Sequence, residues 1–153
     1  MLNLDESIRG GTCCLDAPGL AEGTGDSTIQ FAVAMNFAIN GYMYTKAITD
    51  NIAPTVCAEQ ALGTTCIYLV CIDADGTVSV VKGVEVSTAK VTAGTDVVHW
   101  PAVVTDTCPV GKIYLKTGTT AFIVGTDDLT DDIGTGSVAY CDLMTVPTEP
   151  LAT

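Results

Sequence analysis

The chain has 153 residues, 48% of them hydrophobic, with six basic side chains against eighteen acidic ones for a formal charge of −12. That length predicts one domain able to bury about 70% of its unfolded surface. The charge argues against a nucleic-acid partner, because a phosphate backbone is gripped by clustered Lys and Arg, whereas Arg9, Lys46, Lys82, Lys90, Lys112 and Lys116 stand singly along the sequence.

The longest strongly apolar run, Phe31 to Ile39, is interrupted by Asn36 and falls far short of the ~20 residues of a membrane helix. No membrane partner is expected. Asp5 and Glu6 stand where a secretory leader is positive, so an ordinary cytoplasmic origin is expected. The acidity itself is read as a means of solubility.

Residues 1–30 hold Gly10-Gly11, Pro18-Gly19, Gly23 and Gly25 interleaved with acids and show little apolar periodicity. Such a segment buries too little to offset its ordering entropy. It is expected to be an arm, either frayed or ordered by an adjacent subunit. From Phe31 to Thr49 the pattern sharpens into a hairpin, with Asn40-Gly41 as a two-residue loop. Phe31, Val33, Met35, Phe37, Ile39, Tyr42, Tyr44 and Ile48 form its large face, predicted to point into the core. The opposite face is small: Ala32, Ala34, Asn36, Ala38, Met43, Thr45, Ala47 and Thr49. It admits close approach of another surface, so Ala32, Ala34, Asn36, Ala38, Met43 and Thr45 are candidates for a subunit contact, with solvent as the other reading.

Asp50-Asn51 and Pro54 mark a turn and an irregular crossing, and Ala58 to Leu62 has the spacing of one helical turn. Ile67 to Gly83 is a second hairpin around Asp75-Gly76. A two-residue loop would set Ile72 opposite Ser79, whereas the loop Ala74-Asp75-Gly76 sets Ile72 opposite Val78 and Val70 opposite Val80. The second register collects four β-branched side chains on one face and is preferred. Val84 to Val86 and a rise from Lys90 to Val104 follow. Within that rise Trp100 is expected in the core or an interface, with His99 an ordinary hydrogen-bonded neighbour. Pro109-Val110-Gly111 reads as a turn, Ile113 to Thr117 as a strand, Ala121 to Val124 as a short apolar run, Gly125 to Asp132 as an acidic loop and Ser137 to Met144 as the last strand.

The expectation is therefore an all-β fold, an antiparallel β-sandwich or barrel built from hairpins over residues 31–146, with an extended N-terminal arm (1–30) and an extended tail (147–153).

Little in the chain points to chemistry. Asp73-x-Asp75-Gly76 lacks the glycine and glutamate spacing of a calcium loop. Asp127-Asp128 and Asp131-Asp132 suit a solvated loop better than a cation site. His99 is the single histidine, and no nucleophile elbow or glycine-rich phosphate loop is present. The seven cysteines, Cys13, Cys14, Cys57, Cys66, Cys71, Cys108 and Cys141, are an odd number without a Cys-x-x-Cys, so a zinc site is not expected, and Cys71 reads as a small buried hydrophobe. No catalytic, cofactor-binding or metal-ligating residue is assigned.

The string Phe37-Ala-Ile-Asn-Gly-Tyr-Met-Tyr-Thr-Lys-Ala-Ile-Thr-Asp-Asn51 resembles a pattern found in small virion structural proteins of tailed bacteriophages. Further similar strings follow in order: Cys66-Ile-Tyr-Leu-Val-Cys-Ile-Asp-Ala-Asp-Gly-Thr-Val78, Lys82-Gly83, Trp100-Pro-Ala102, Pro109-Val-Gly-Lys-Ile113 and Phe122-Ile-Val-Gly-Thr126. Within that group, size and β content are similar to capsid decoration, or cement, proteins. The resemblance implies a non-enzymatic protein made in the host cytoplasm and placed on the outer surface of the phage head. Its implied partners are the major capsid protein and copies of itself, as a homotrimer, with no cofactor. The alternative it leaves open is a tail, fibre or carbohydrate-binding receptor module.

Overall fold

The computed structural model describes residues 11–144. The first strands are β1 (Cys13–Cys14), β2 (Leu20–Glu22), β3 (Ile29–Phe31), β4 (Met35–Ile39), β5 (Tyr42–Lys46) and β6 (Thr49–Ile52). They are followed by β7 (Thr64–Asp73), β8 (Val78–Lys82), β9 (Val86–Ser87), the short helix α1 (Thr88–Thr92), β10 (Thr107–Lys116) and β11 (Ser137–Asp142). The strands form three antiparallel sheets, ordered β1-β4-β5, β2-β3-β6 and β11-β10-β7-β8, with β9 also pairing with β7. They pack as a sandwich and do not close into a barrel.

The largest sheet is organised by β7, whose residues are buried without interruption from Thr65 to Ile72. A continuous apolar run of this kind marks a strand covered on both faces. Cys66, Tyr68, Val70 and Ile72 point into the main core with Cys108, Val110, Ile113 and Leu115 of β10. Ile67, Leu69 and Cys71 point the other way and are buried too. A strap of irregular chain before β10 lies on that second side. A β-carbon added at Gly83 would sit 3.1 Å from the His99 carbonyl oxygen and 3.5 Å from Pro101 Cδ, and Trp100 lies over Lys112.

The β7–β8 hairpin has the preferred register, Ile72 opposite Val78 and Val70 opposite Val80. The Asp73 N–H donates to the Thr77 carbonyl and the Gly76 N–H to that of Asp73, with Gly76 at φ +82°. Asn40 and Gly41 likewise take positive φ at the tip of the β4–β5 hairpin, where Ile39 faces Tyr42 and Phe37 faces Tyr44. Phe31 and Met35, however, belong to different sheets. The N–H groups of Ala32 and Val33 donate to the Gly19 and Pro18 carbonyls, which breaks the run and turns Val33 out to solvent. Tyr42 is exposed at the hairpin tip, and Ile48 is exposed where the chain passes from one sheet to the next.

The arm expected over residues 1–30 is corrected for its described part. Residues 11–30 are built into the sandwich through β1, β2 and β3, with Cys14, Leu20 and Ile29 buried in the core. Composition understated this segment because Cys14, Leu20 and Ile29 are buried and several of its backbone N–H groups are anchored by distant side chains. The Asp142 carboxylate accepts the N–H groups of Gly19 and Leu20, and Asp50 and Asn51 hold Thr24 and Gly25. Residues 1–10 and the expected tail, 147–153, lie outside the described residues.

Pro109-Val110-Gly111 is not a turn but a β-bulge inside β10. The register slips between Pro109, opposite Cys71, and Gly111, opposite Val70. Proline has no N–H to lose there, and the carbonyl of the extra residue, Val110, accepts the Leu143 N–H. A β-carbon added at Gly111 would meet Leu20 Cδ2 at 2.5 Å, so any larger residue there must displace the Leu20 side chain. Residues 58–62 are not helical either: Gln60 exchanges both backbone hydrogen bonds with Phe122. Among the described residues a short helix falls instead at Thr88–Thr92, overlapping the start of the rise expected from Lys90.

Candidate functional site

The small face of the first hairpin is largely open. Ala32, Ala34, Asn36, Met43 and Thr45 are exposed, Met43 by 58%. Ala38 is the exception, buried where β1 pairs alongside it with Cys13 opposite. Asn36 is fixed by Asp16, whose carboxylate accepts both its backbone N–H and its side-chain amide.

This face adjoins the second hairpin. Lys46, at the end of β5, donates from Nζ to the Gly76 carbonyl at 2.8 Å, joining one predicted turn to the other hairpin. Beneath that link is an open groove of about 450 Å³ lined by Asn36, Met43, Tyr44, Thr45 and the loop residues Ala74 and Asp75. Among the described residues β5 is the last strand of its sheet. A free strand edge is a ready template for another chain, and a lysine reaching across it is a common means of blunting it. The other predicted turn is tied elsewhere, through Asn40 Nδ2 donating to Asp106.

The acids that resembled metal ligands serve their own loops. Asp73 Oδ1 accepts the N–H groups of Asp75 and Thr77. Asp127, Asp128 and Asp132 accept those of Ile123, Thr130 and Asp131, and Asp128 respectively. The donations from Asp131 and Thr130 hold the Asp128 carboxyl below the usual range. Among the described residues no three His, Cys, Asp or Glu side chains converge as a metal would require. Burial works against the charge of Glu85, but Lys82 Nζ at 2.5 Å and the Ala61 N–H hold that carboxyl low as well.

All seven cysteines are thiols rather than disulfides. Burial pushes Cys14 and Cys66 up to about 11 and Cys108 to about 12, and raises Cys57 and Cys71, so these sulfurs stay protonated and poorly nucleophilic near neutrality. His99 is exposed on the strap. Trp100, expected in the core or an interface, is 53% exposed within the chain, with Lys112 Nζ 4.7 Å from its ring centroid. The strap also exposes Val97, Val103 and Val104. These apolar side chains were legible as a run, but their outward orientation was not. The arrangement is suited to presenting surface, at the β4–β5 face and at the strap.

Compared with known proteins, the chain matches no family model, no curated protein and no solved structure.

Proposed function

We propose that the protein is a structural component of a tailed-phage virion, a decoration protein that binds the outside of the head and stabilises the shell through contacts with the major capsid protein and with its own copies. The observation that carries this reading is the exposed β4–β5 face, where Met43 and Tyr42 stand beside the free edge of β5 and its groove. Exposed apolar side chains grouped next to an unpaired strand are what a partner covers. An interface of ~1,600 Å² suffices for a specific complex, and repetition over a shell adds avidity. The acidity suits a surface directed away from packaged DNA.

The test is binding to expanded heads from the same virus, followed by cryo-electron microscopy. Wild-type protein should decorate and toughen the heads, and Met43→Lys with Tyr42→Asp should abolish binding while leaving the thermal transition in place. Absence of wild-type binding would refute the proposal. A tail or receptor-binding module is the second reading, favoured by the half-exposed Trp100, because an exposed indole can stack on a sugar ring. Glycan binding lost on Trp100→Ala would select it.

A further inference from the structure

Alternation along β10 places Lys112, Tyr114 and Lys116 on one side, opposite the fully buried Ile113 and Leu115. The strap adds Trp100, stacked over Lys112. On the neighbouring strand β11 the residues paired with Lys112, Tyr114 and Lys116 are Cys141, Ala139 and Ser137. These are short and exposed, so the long side chains stand above a low floor at the sheet edge. The only ion pair among the described residues is Lys82–Glu85, and Lys112 and Lys116 pair with no described carboxylate. A chain of net charge −12 thus carries a basic and aromatic strip.

The complementary surface lies on the other side of the same two strands. Tyr140, next to Cys141, turns toward the core. β2 is held beside β11 by the Asp142 carboxylate, and its Glu22 accepts the Thr130 hydroxyl from the loop that carries Asp128. Glu22 and Asp128, with Asp26 and Asp131, line an open depression of about 270 Å³. Asp26 and Asp131 accept no side-chain hydrogen bond among the described residues, unlike the loop-capping Asp128. Because the strip and the depression are different patches, a contact between them is heterologous, and head-to-tail repetition closes into a ring when the rotation permits.

We infer that the Lys112–Tyr114–Lys116 strip with Trp100 is a docking surface for a second copy of this chain, which presents its Glu22, Asp26, Asp128 and Asp131 depression. Charge complementarity sets the orientation and the aromatic rings supply the buried area. The inference rests on the proposed function only in having copies touch; it needs no shell. Its test therefore uses purified protein without heads, by sedimentation over a concentration series.

Wild-type protein should self-associate, and Lys112→Glu with Lys116→Glu should weaken association by about tenfold or more, as should Asp26→Lys with Asp131→Lys. Mixing the two variants should restore association, since each then supplies the charge that the other's patch lacks. This needs no variant carrying all four changes, and far-ultraviolet circular dichroism confirms that each variant is folded. A monomeric wild type, association indifferent to the lysine reversals, or a mixture no better than its components would overturn the inference. So would Trp100-dependent binding of a glycan that displaces no second copy.

Discussion

Gln60 is the polar residue on which the inner layer of the sandwich depends most. It is fully buried, its Oε1 accepts the Tyr68 hydroxyl at 2.9 Å, and its Nε2 donates to the carbonyls of Thr64 at 3.1 Å and Leu115 at 3.3 Å. Replacing it with leucine keeps the volume but strands the Tyr68 hydroxyl in the core. The Thr64 carbonyl suffers less, because it also accepts the Thr117 N–H and hydroxyl. A buried group left unpaired costs ~1–3 kcal/mol, so Gln60→Leu should destabilise by about 2–4 kcal/mol. Tyr68→Phe removes the stranded hydroxyl. Its own cost of about 1–2 kcal/mol should be largely absent on the Gln60→Leu background, a coupling of similar size. Equilibrium urea unfolding reads this as a shift of midpoint at constant slope. A Gln60→Leu cost below about 1 kcal/mol, or costs that simply add, would refute the reasoning.

Gly76→Val forces a β-branched residue to φ +82° and should cost at least about 1–2 kcal/mol in thermal or urea unfolding. Asp73→Asn keeps the Oδ1 acceptor of the same turn and should cost less than about 0.5 kcal/mol, whereas Asp73→Ala loses two hydrogen bonds and should cost about 1–2; calcium-dependent folding abolished by Asp73→Asn would contradict this. Asp50, Glu85 and Asp128 all titrate below their ordinary values in the fold, so their stabilisation is present above pH about 5 and is lost as pH falls through the depressed values. Melting temperature against pH should accordingly fall less steeply for Asp128→Asn than for wild type below pH about 4. Cys141 is exposed and should be alkylated readily at pH 8, whereas Cys14, Cys66 and Cys108 should react only after unfolding, a contrast that peptide mass spectrometry measures directly.

The two hairpins were legible because their signals are local. Asn40-Gly41 and Asp75-Gly76 specify positive φ, and the β-branched block at Val70, Ile72, Val78 and Val80 fixes the register of the second. Residues 11–30 were not legible, because their order comes from distant partners: Asp142 for Gly19 and Leu20, Asp50 and Asn51 for Thr24 and Gly25. The bulge at Val110 has the same cause. Pro109 and Gly111 carry turn chemistry, and it is pairing with β7 on one side and the approach of Leu20 on the other that hold them in a strand. At the candidate contact face, alternation correctly brought Ala34, Asn36, Met43 and Thr45 to the surface but could not reveal β1 lying alongside Ala38.

Net charge and local charge act at different ranges on the proposed contacts. A chain at −12 repels its copies over roughly the Debye length, about 10 Å at 0.1 M salt, so random encounters are discouraged. Lys82 is neutralised by the Glu85 carboxylate, and Lys46 keeps its charge but is held in place by the Gly76 carbonyl. Lys112 and Lys116 remain together on one strand face, and there alone on β10 does the surface reverse the prevailing sign beside an exposed aromatic ring. Repulsion elsewhere then raises the selectivity of that face instead of opposing it, since only an approach that sets carboxylates against these lysines escapes the penalty. The β4–β5 face is built differently. Its one lysine is already bonded across the groove, and Tyr42 and Met43 are uncharged, so a contact there is governed by apolar burial and strand-edge pairing. Two surfaces with different physical bases allow a protein to bind its neighbours and an underlying shell without the two contacts competing.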